Sequence, residues 1–176
     1  MVSEQSFQSW ASAPGETETT KCDNAVAAVR RAIDADASLR ERDIRVFAQG
    51  SYHNRTNVRQ DSDVDVCALC RETIFYDLPA GTSPADFNIT VPAAYNYTQF
   101  KNDVGAALAS YFGKGHVTRG HKAFDIKENT YRIAADAAPC FVYTNFSSRP
   151  PLEGVAFVPD NGQRTGRARC PCRPRP

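Results

Sequence analysis

A helix-and-strand domain of the α/β or α+β class is predicted by three features of this 176-residue sequence. Apolar residues recur at helical spacing in two stretches, and they alternate or run together at strand length in four others. The composition, 41% hydrophobic and 23% charged with 10 Gly and 11 Pro, is that of a folded chain and excludes a disordered one. The length suits a single domain with a sizeable core.

Residues 1–20 are rich in Ser, Thr and Glu around Phe7 and Trp10 and are broken by Pro14-Gly15, so a short helix followed by a loop is expected there. From Thr20 onward, Ala25, Val26, Ala28, Val29, Ala32 and Ile33 recur at helical spacing. They define an amphipathic helix to about Asp36 that needs a sheet to pack on. Ile44 to Ala48 reads as a strand entering a tight turn at Gly50. A second strand begins near Asp63. Its period of two puts Val64, Val66 and Ala68 on one face and Asp63, Asp65 and Cys67 on the other.

Residues 79–97, with Pro79, Pro84 and Pro92, read as an inserted loop. Helical spacing returns from Tyr97 to Phe112 through Phe100, Val104 and Leu108, and Gly113 and Gly115 end it. Val117 to Ile126 and Tyr131 to Tyr143 read as two further strands separated by Lys127-Glu128-Asn129, the second carrying Asp136.

The formal net charge of +1 conceals an asymmetry. The last fourteen residues, QRTGRARCPCRPRP, hold five Arg and no acid, and without them the chain has 16 basic against 20 acidic residues. An acidic body excludes a nucleic-acid-coating surface, so no sequence-specific nucleic-acid partner is expected. No apolar run approaches the roughly 20 residues of a membrane span, and the N-terminus lacks a basic segment leading into an apolar one. No membrane partner and a cytoplasmic location are the expectation. The six cysteines, at 22, 67, 70, 140, 170 and 172, lack the spacing of a secreted disulfide scaffold, and reduced thiols are expected.

Two elements of the sequence carry chemistry together. Phosphoryl and nucleotidyl transfer ask little covalent help of a protein, but they require triphosphate, nucleophile and metal ions to be held in line. Two divalent ions about 3.5–4 Å apart need several carboxylates converging on one point. Asp63 and Asp65, at i and i+2 on a strand, supply two. Asp136, in RIAADAAPCF, is the candidate third: an unpaired carboxylate among small apolar neighbours is costly to ionise, and a cation offsets that cost. Gly50-Ser51 supplies the phosphate side, glycine by letting the backbone approach and Ser51 by its hydroxyl and N–H. Taken alone such a pair is most often an ordinary turn. Strand, Gly-Ser, eleven residues, Asp-x-Asp between valines and a later strand aspartate constrain several independent features at once.

That combination resembles the nucleotidyltransferase superfamily related to polymerase beta. QGSYHNRTNVRQDSDVDV and the downstream YRIAADAAPCFVY are similar to the bacterial cGAS/DncV-like branch, over about Ala25 to Pro159. The resemblance implies an α+β polymerase-beta-like core, a mixed or antiparallel sheet with helices packed on one face. It also implies a C-terminal helical half that follows the core in family members and that this sequence lacks. By the resemblance, Gly50, Ser51 and Gln49 contact nucleotide, and Asp63, Asp65 and Asp136 bind Mg2+, with Mn2+ as the alternative ion. The implied reaction joins nucleoside triphosphates into a cyclic oligonucleotide, releasing pyrophosphate, in anti-phage signalling; the product activates a downstream effector. Asp136 would help deprotonate the attacking ribose hydroxyl. Tyr52, Asn57 and Arg59 fit the branch pattern and are read as shaping the turn, with Asp61 bracing it.

The remaining residues favour structural readings. Cys67 and Cys70, three apart on one strand, point to opposite faces and have no second pair at zinc spacing. Cys170 and Cys172 lie in an Arg/Pro stretch without a His partner, and His53, His116 and His121 form no set. His121, Lys122 and Lys127 read as a solvated strand edge, and Phe100, Tyr111 and Phe112 as core. The expected organisation is a catalytic core over 1–162 and an unstructured tail over 163–176, whose Arg, Pro and Cys bias is what out-of-frame reading of GC-rich DNA produces. A truncated, inactive or nucleotide-binding-only remnant is therefore one alternative. A minimal nucleotidyltransferase modifying a protein or small molecule is another.

Overall fold

A computed structural model of the chain describes residues 16–49, 63–162 and 164–167. The first helix, α1 (Glu16–Ala35), runs through the predicted stretch, and a short α2 (Ala37–Arg40) follows, capped by Asp36, whose side chain accepts from the backbone N–H groups of Ser38 and Leu39. The predicted helix from Tyr97 is α3 (Tyr97–Phe112), which begins at Asn96, whose side chain accepts from Gln99 N at 2.9 Å, and ends at Gly113 with φ +88°. An L side chain rarely adopts that backbone conformation, so glycine is the stop residue there.

The strands are β1 (Ile44–Ala48), β2 (Val64–Asp77), β3 (Val117–Arg119), β4 (Phe124–Ile126), β5 (Ala135–Asn145), β6 (Leu152–Phe157) and β7 (Thr165–Arg167). Their order in the sheet is β1-β2-β5-β4-β3, with β6 on the far half of β5 and β7 on β6. All pairings are antiparallel except β2 with β5, so the sheet is mixed, as expected. Pro139 lies between the stretch of β5 paired with β4 and the stretch paired with β6, where that edge of the strand has no ladder partner for a missing N–H.

Both long helices cover one face. Ala25, Val29, Ala32 and Ile33 of α1 and Phe100, Val104, Ala107 and Leu108 of α3 pack on Val64, Val66, Ala68 and Cys70 of β2, Phe124 and Ile126 of β4, and Ala135, Ala137 and Phe141 of β5. Phe100 stacks on Phe141 with ring centroids 5.4 Å apart, and Tyr97 meets the same ring edge-on. Each large apolar side chain buried here is worth about 1.5–3 kcal/mol, so this layer carries most of the stability. Arg30 donates to the Val46 carbonyl at 2.7 Å, tying α1 to the edge strand β1.

Several elements depart from the sequence reading. The single strand expected over 117–126 is a hairpin, β3 and β4, turning at Gly120 to Ala123. β2 runs well beyond the Asp-x-Asp segment, with a bulge between Cys70 and Ile74. β6 has no counterpart in the reading, and the boundary set at 162/163 falls within the sheet: Thr165–Arg167 pairs with β6, and Arg164 is hydrogen-bonded to Asp77 and the Tyr76 carbonyl. A tail wholly without structure over 163–176 is therefore corrected for its first residues. The short N-terminal helix expected around Phe7 and Trp10 lies outside the described residues.

Candidate active site

The face of the sheet away from α1 and α3 carries the carboxylates. On β2 the residues alternate as the sequence pattern requires, Val64, Val66 and Ala68 entering the helical core while Asp65 stays exposed on the other side beside Cys67 and Leu69. Asp63 directly precedes the strand and is also exposed. The parallel register sets Asp65 opposite Asp136. The antiparallel register of β4 sets Asp125 opposite the same Asp136. Directly paired residues of neighbouring strands share a face, so Asp65, Asp136 and Asp125 form one rung across β2, β5 and β4.

Asp136 sits at the middle of this rung and is half-buried. Burial pushes its carboxyl up to about 6, and the neighbouring charges of Asp125 and Asp63, a hydrogen bond shared with Asp125 and the charge of Asp65 act in the same direction. The three aspartates singled out from sequence are thus close enough to feel one another. Among the described residues, no trio of His, Cys, Asp or Glu side chains is drawn into a metal-coordination set in this conformation. The donor chemistry fits a hard divalent cation, since every group is a carboxylate oxygen. The raised carboxyl of Asp136 is the electrostatic mark of a site that gains from an added positive charge.

Pairing of β1 with β2 runs one residue past Ala48: Gln49 N donates to the Asp65 carbonyl at 2.7 Å. Gln49 is thereby fixed beside Asp65, and the chain leads directly from it into Gly50. Gly50 and Ser51, with Tyr52, Asn57, Arg59 and Asp61, lie outside the described residues.

Asp125 was missed by the sequence reading. A signal for it was available, because Phe124-Asp125-Ile126 repeats the apolar-acid-apolar alternation of Val64-Asp65-Val66. Without the hairpin turn, however, nothing in the sequence fixes its register against Asp136.

The residues read as structural are so placed. Cys67 lies in the smaller apolar cluster with Leu69, Cys140 and Val155, whereas Cys70 belongs to the helical core, so the two point to opposite faces. A hydrogen bond to Cys140 and burial push the Cys67 thiol well above its ordinary value, which leaves it a poor nucleophile. Phe100 is fully buried and Phe112 half-buried against the Arg132 guanidinium, but Tyr111 is exposed rather than core. Lys127 donates to the Gly115 carbonyl.

No family model matches the chain. Among curated proteins it is 41% identical over 165 residues to a cyclic dipyrimidine nucleotide synthase CdnE of Legionella pneumophila, a match that covers 90% of this chain and 55% of that protein. In fold it matches the structure of the Rhodothermus marinus CdnE c-UMP-AMP synthase with Apcpp and Upnpp, at a TM-score of 0.79 and 28% identity over 96% of this chain and 57% of that one. The Elizabethkingia meningoseptica CdnE cyclic dinucleotide synthase with GTP and Apcpp matches at a TM-score of 0.72 and 32% identity, covering 96% and 55%. The chain spans about half the length of the curated relatives it matches.

Proposed function

Because the chain belongs, over the length it spans, to the cGAS/DncV-like nucleotidyltransferases, we propose that it forms the catalytic core of a cyclic oligonucleotide synthase acting on nucleoside triphosphates. A ribose hydroxyl of one nucleotide attacks the α-phosphate of another, pyrophosphate leaves, and a second such step closes the ring. The observation that carries this reading is the register that sets Asp65 opposite Asp136 with Asp63 beside them, on the face the helices leave open. The comparisons support it through relatives named as cyclic nucleotide synthases and solved with nucleotides.

In this proposal Asp63, Asp65 and Asp136 hold Mg2+, with Mn2+ able to replace it. The ion, when bound, neutralises the triphosphate and lowers the cost of charge developing on the α-phosphate. The chain's own residues do the rest. Asp136, the least exposed of the three, with its carboxyl raised toward neutrality by burial, takes up the proton of the attacking hydroxyl. Gln49, held at the end of β1 by its bond to the Asp65 carbonyl, contacts nucleotide in this proposal, as do Gly50 and Ser51. The proposal includes a signalling role in anti-phage defence, through an effector that binds the product, and a cytoplasmic setting. No helix among the described residues is long and apolar enough to cross a membrane.

The test is incubation of the purified chain with Mg2+ and labelled nucleoside triphosphates. Metal-dependent pyrophosphate release that disappears in Asp63→Ala and Asp65→Asn supports the proposal. Release unaffected by Asp65→Asn refutes the site. Metal-dependent triphosphate binding without release supports the second reading, a nucleotide-binding core without turnover.

A further inference from the structure

We propose that Arg132 is a positioning residue of this site, one whose buried guanidinium clasps the β4–β5 connection to the end of α3 and so holds the backbone on which Asp63 and Asp136 meet. The inference rests on the assignment of Asp63, Asp65 and Asp136 made above. Its first support is a buried cation without a counter-ion. Arg132 is 6% exposed, and among the described residues it forms no ion pair. Taking a charged group out of water is costly, and apolar side chains of similar volume often serve stability as well or better. Two contacts offset the cost here. The guanidinium donates to the Lys127 carbonyl at 2.5 Å and lies 4.7 Å over the ring of Phe112. Phe112 is the last residue of α3, the end of a helix at which a cation is favoured. Lys127 directly follows β4, and Arg132 itself stands just before β5. One side chain thereby joins the end of α3, the exit of β4 and the entry of β5.

The second support is what that connection holds in turn. Asn129 fixes the Arg132 backbone twice: its Oδ1 accepts from Arg132 N at 2.9 Å, and its N donates to the Arg132 carbonyl at 3.0 Å. Lys127 is held independently, its N donating to the His116 carbonyl and its Nζ to the Gly115 carbonyl, both at 3.0 Å. The guanidinium is therefore anchored to a point that is itself fixed. Beyond Arg132, the Ala134 carbonyl accepts from Val64 N at 3.1 Å. Val64 is the first residue of β2 and lies between Asp63 and Asp65, while Ala134 leads directly into the strand that carries Asp136. Asp63 precedes β2, so among the links of the β2–β5 pair this bond stands next to it. Groups of a functional site have to be held within about 0.5 Å of their working geometry by residues that are themselves locked. Arg132 supplies such a lock through the backbone, without an ion pair to any of the carboxylates.

The experiment uses the full 176-residue chain as wild type, Arg132→Met, Arg132→Lys and Asp65→Asn. Amide hydrogen exchange is followed residue by residue, and Mn2+ affinity is measured by electron paramagnetic resonance of the free ion. In Arg132→Met the Val64 amide is expected to exchange about fivefold faster, the equivalent of one weakened hydrogen bond, while the amides of the buried Leu108 and Phe141 keep their wild-type rates. Mn2+ binding is expected to weaken about tenfold in the same variant. Arg132→Lys recovers part of both effects, because an ammonium still donates to the Lys127 carbonyl; it carries the same comparison if Arg132→Met does not fold. Equal acceleration at Val64, Leu108 and Phe141 overturns the positioning role, because it reports a general loss of stability. So does an unchanged Val64 rate. Faster exchange at Val64 with unchanged Mn2+ affinity, alongside a loss of affinity in Asp65→Asn, overturns this inference alone. Absence of an effect in Asp65→Asn, or of Mn2+ binding by the wild type, overturns both it and the site on which it rests.

Discussion

The ion pair between Lys101 and Asp160 predicts an asymmetry between its two partners. Lys101 is 1% exposed at the side chain and Asp160 36%, with Nζ and Oδ1 2.8 Å apart. In Asp160→Asn the ammonium stays where it is and loses its counter-ion, keeping as acceptors the amide Oδ1, the His121 carbonyl at 2.6 Å and, weakly, that of Gly120 at 3.4 Å. Breaking a fully buried pair costs about 3–5 kcal/mol, and an exposed pair is worth about 0–1. With one partner buried and the other a third exposed, the expected loss is about 2 kcal/mol. For a domain of this size that lowers the melting temperature by about 4–8 °C. Lys101→Met removes the charge itself and keeps an unbranched chain in the same space. Asp160 then retains Arg119 at 3.1 Å, and the His121 carbonyl still accepts from Asp160 N at 3.0 Å. Its loss is expected to stay below about 1 kcal/mol. Urea or thermal unfolding at pH 7 decides the matter: a loss in Lys101→Met equal to or larger than that in Asp160→Asn refutes the reasoning. The pH dependence supplies a second check. The hydrogen bonds from Arg119 and Lys101 hold the Asp160 carboxyl down to about 2, so its contribution is present above the unfolded value of about 3.9. The wild type's advantage over Asp160→Asn is therefore lost as pH falls from about 4 toward about 2.

Two further predictions concern the rung and the helix behind it. Gly105→Ala in α3 gains about 1 kcal/mol of helix propensity, but the added Cβ stands 2.7 Å from the ring of the buried Phe124. The overpacking costs about 1–3 kcal/mol, so a net loss of stability is expected in denaturant titration, and a stabilised variant contradicts the packing described. Asp136, with its folded value raised to about 6, binds a proton more tightly folded than unfolded. Stability of the metal-free protein therefore falls as pH rises from about 4 to about 6 at this group. Relative to wild type, Asp136→Asn should gain about 1–2 kcal/mol between pH 4 and pH 7; a gap that stays constant with pH refutes the environment assigned to this carboxyl.

Legibility in the sequence followed how local the controlling interaction is. The α3 boundaries coincide with the apolar periodicity because Asn96 caps and Gly113 stops the chain within a residue of the element they bound, and β1 spans its short apolar run. The alternation around Asp65 was equally readable, since period two is a property of the strand itself. β6 and β7 were not: Leu152 and Glu153 are exposed, and the element exists because Val155 and Ala156 pair with the distal half of β5. The beginning of the Arg-rich segment was misread for a related reason. Arg164 lies over the rings of Phe75 and Tyr143 while binding Asp77, and the contacts with Phe75 and Asp77 join positions nearly ninety residues apart, which composition does not show. Asp125 fell between these cases, with its face readable and its register hidden behind a turn at Gly120 whose closure depends on atoms rather than pattern.

The energetic cost of the rung argues for its use. A sheet built for stability alone would not align Asp65, Asp136 and Asp125 on three adjacent strands, since each contact between like charges opposes folding. The surrounding structure offsets that cost: alanines at 135 and 137 fill the helical face beneath the acid, and the stack of Phe100, Phe141 and Tyr97 anchors β5 on the side away from it. The strand that carries the central carboxylate is thus the one most heavily fixed by the core, flanked on both edges by partners that each contribute another acid. Rigidity on one face and clustered negative charge on the other are the conditions that, under the proposed function, a divalent ion would answer, so the proposed chemistry draws on the same register that makes the fold.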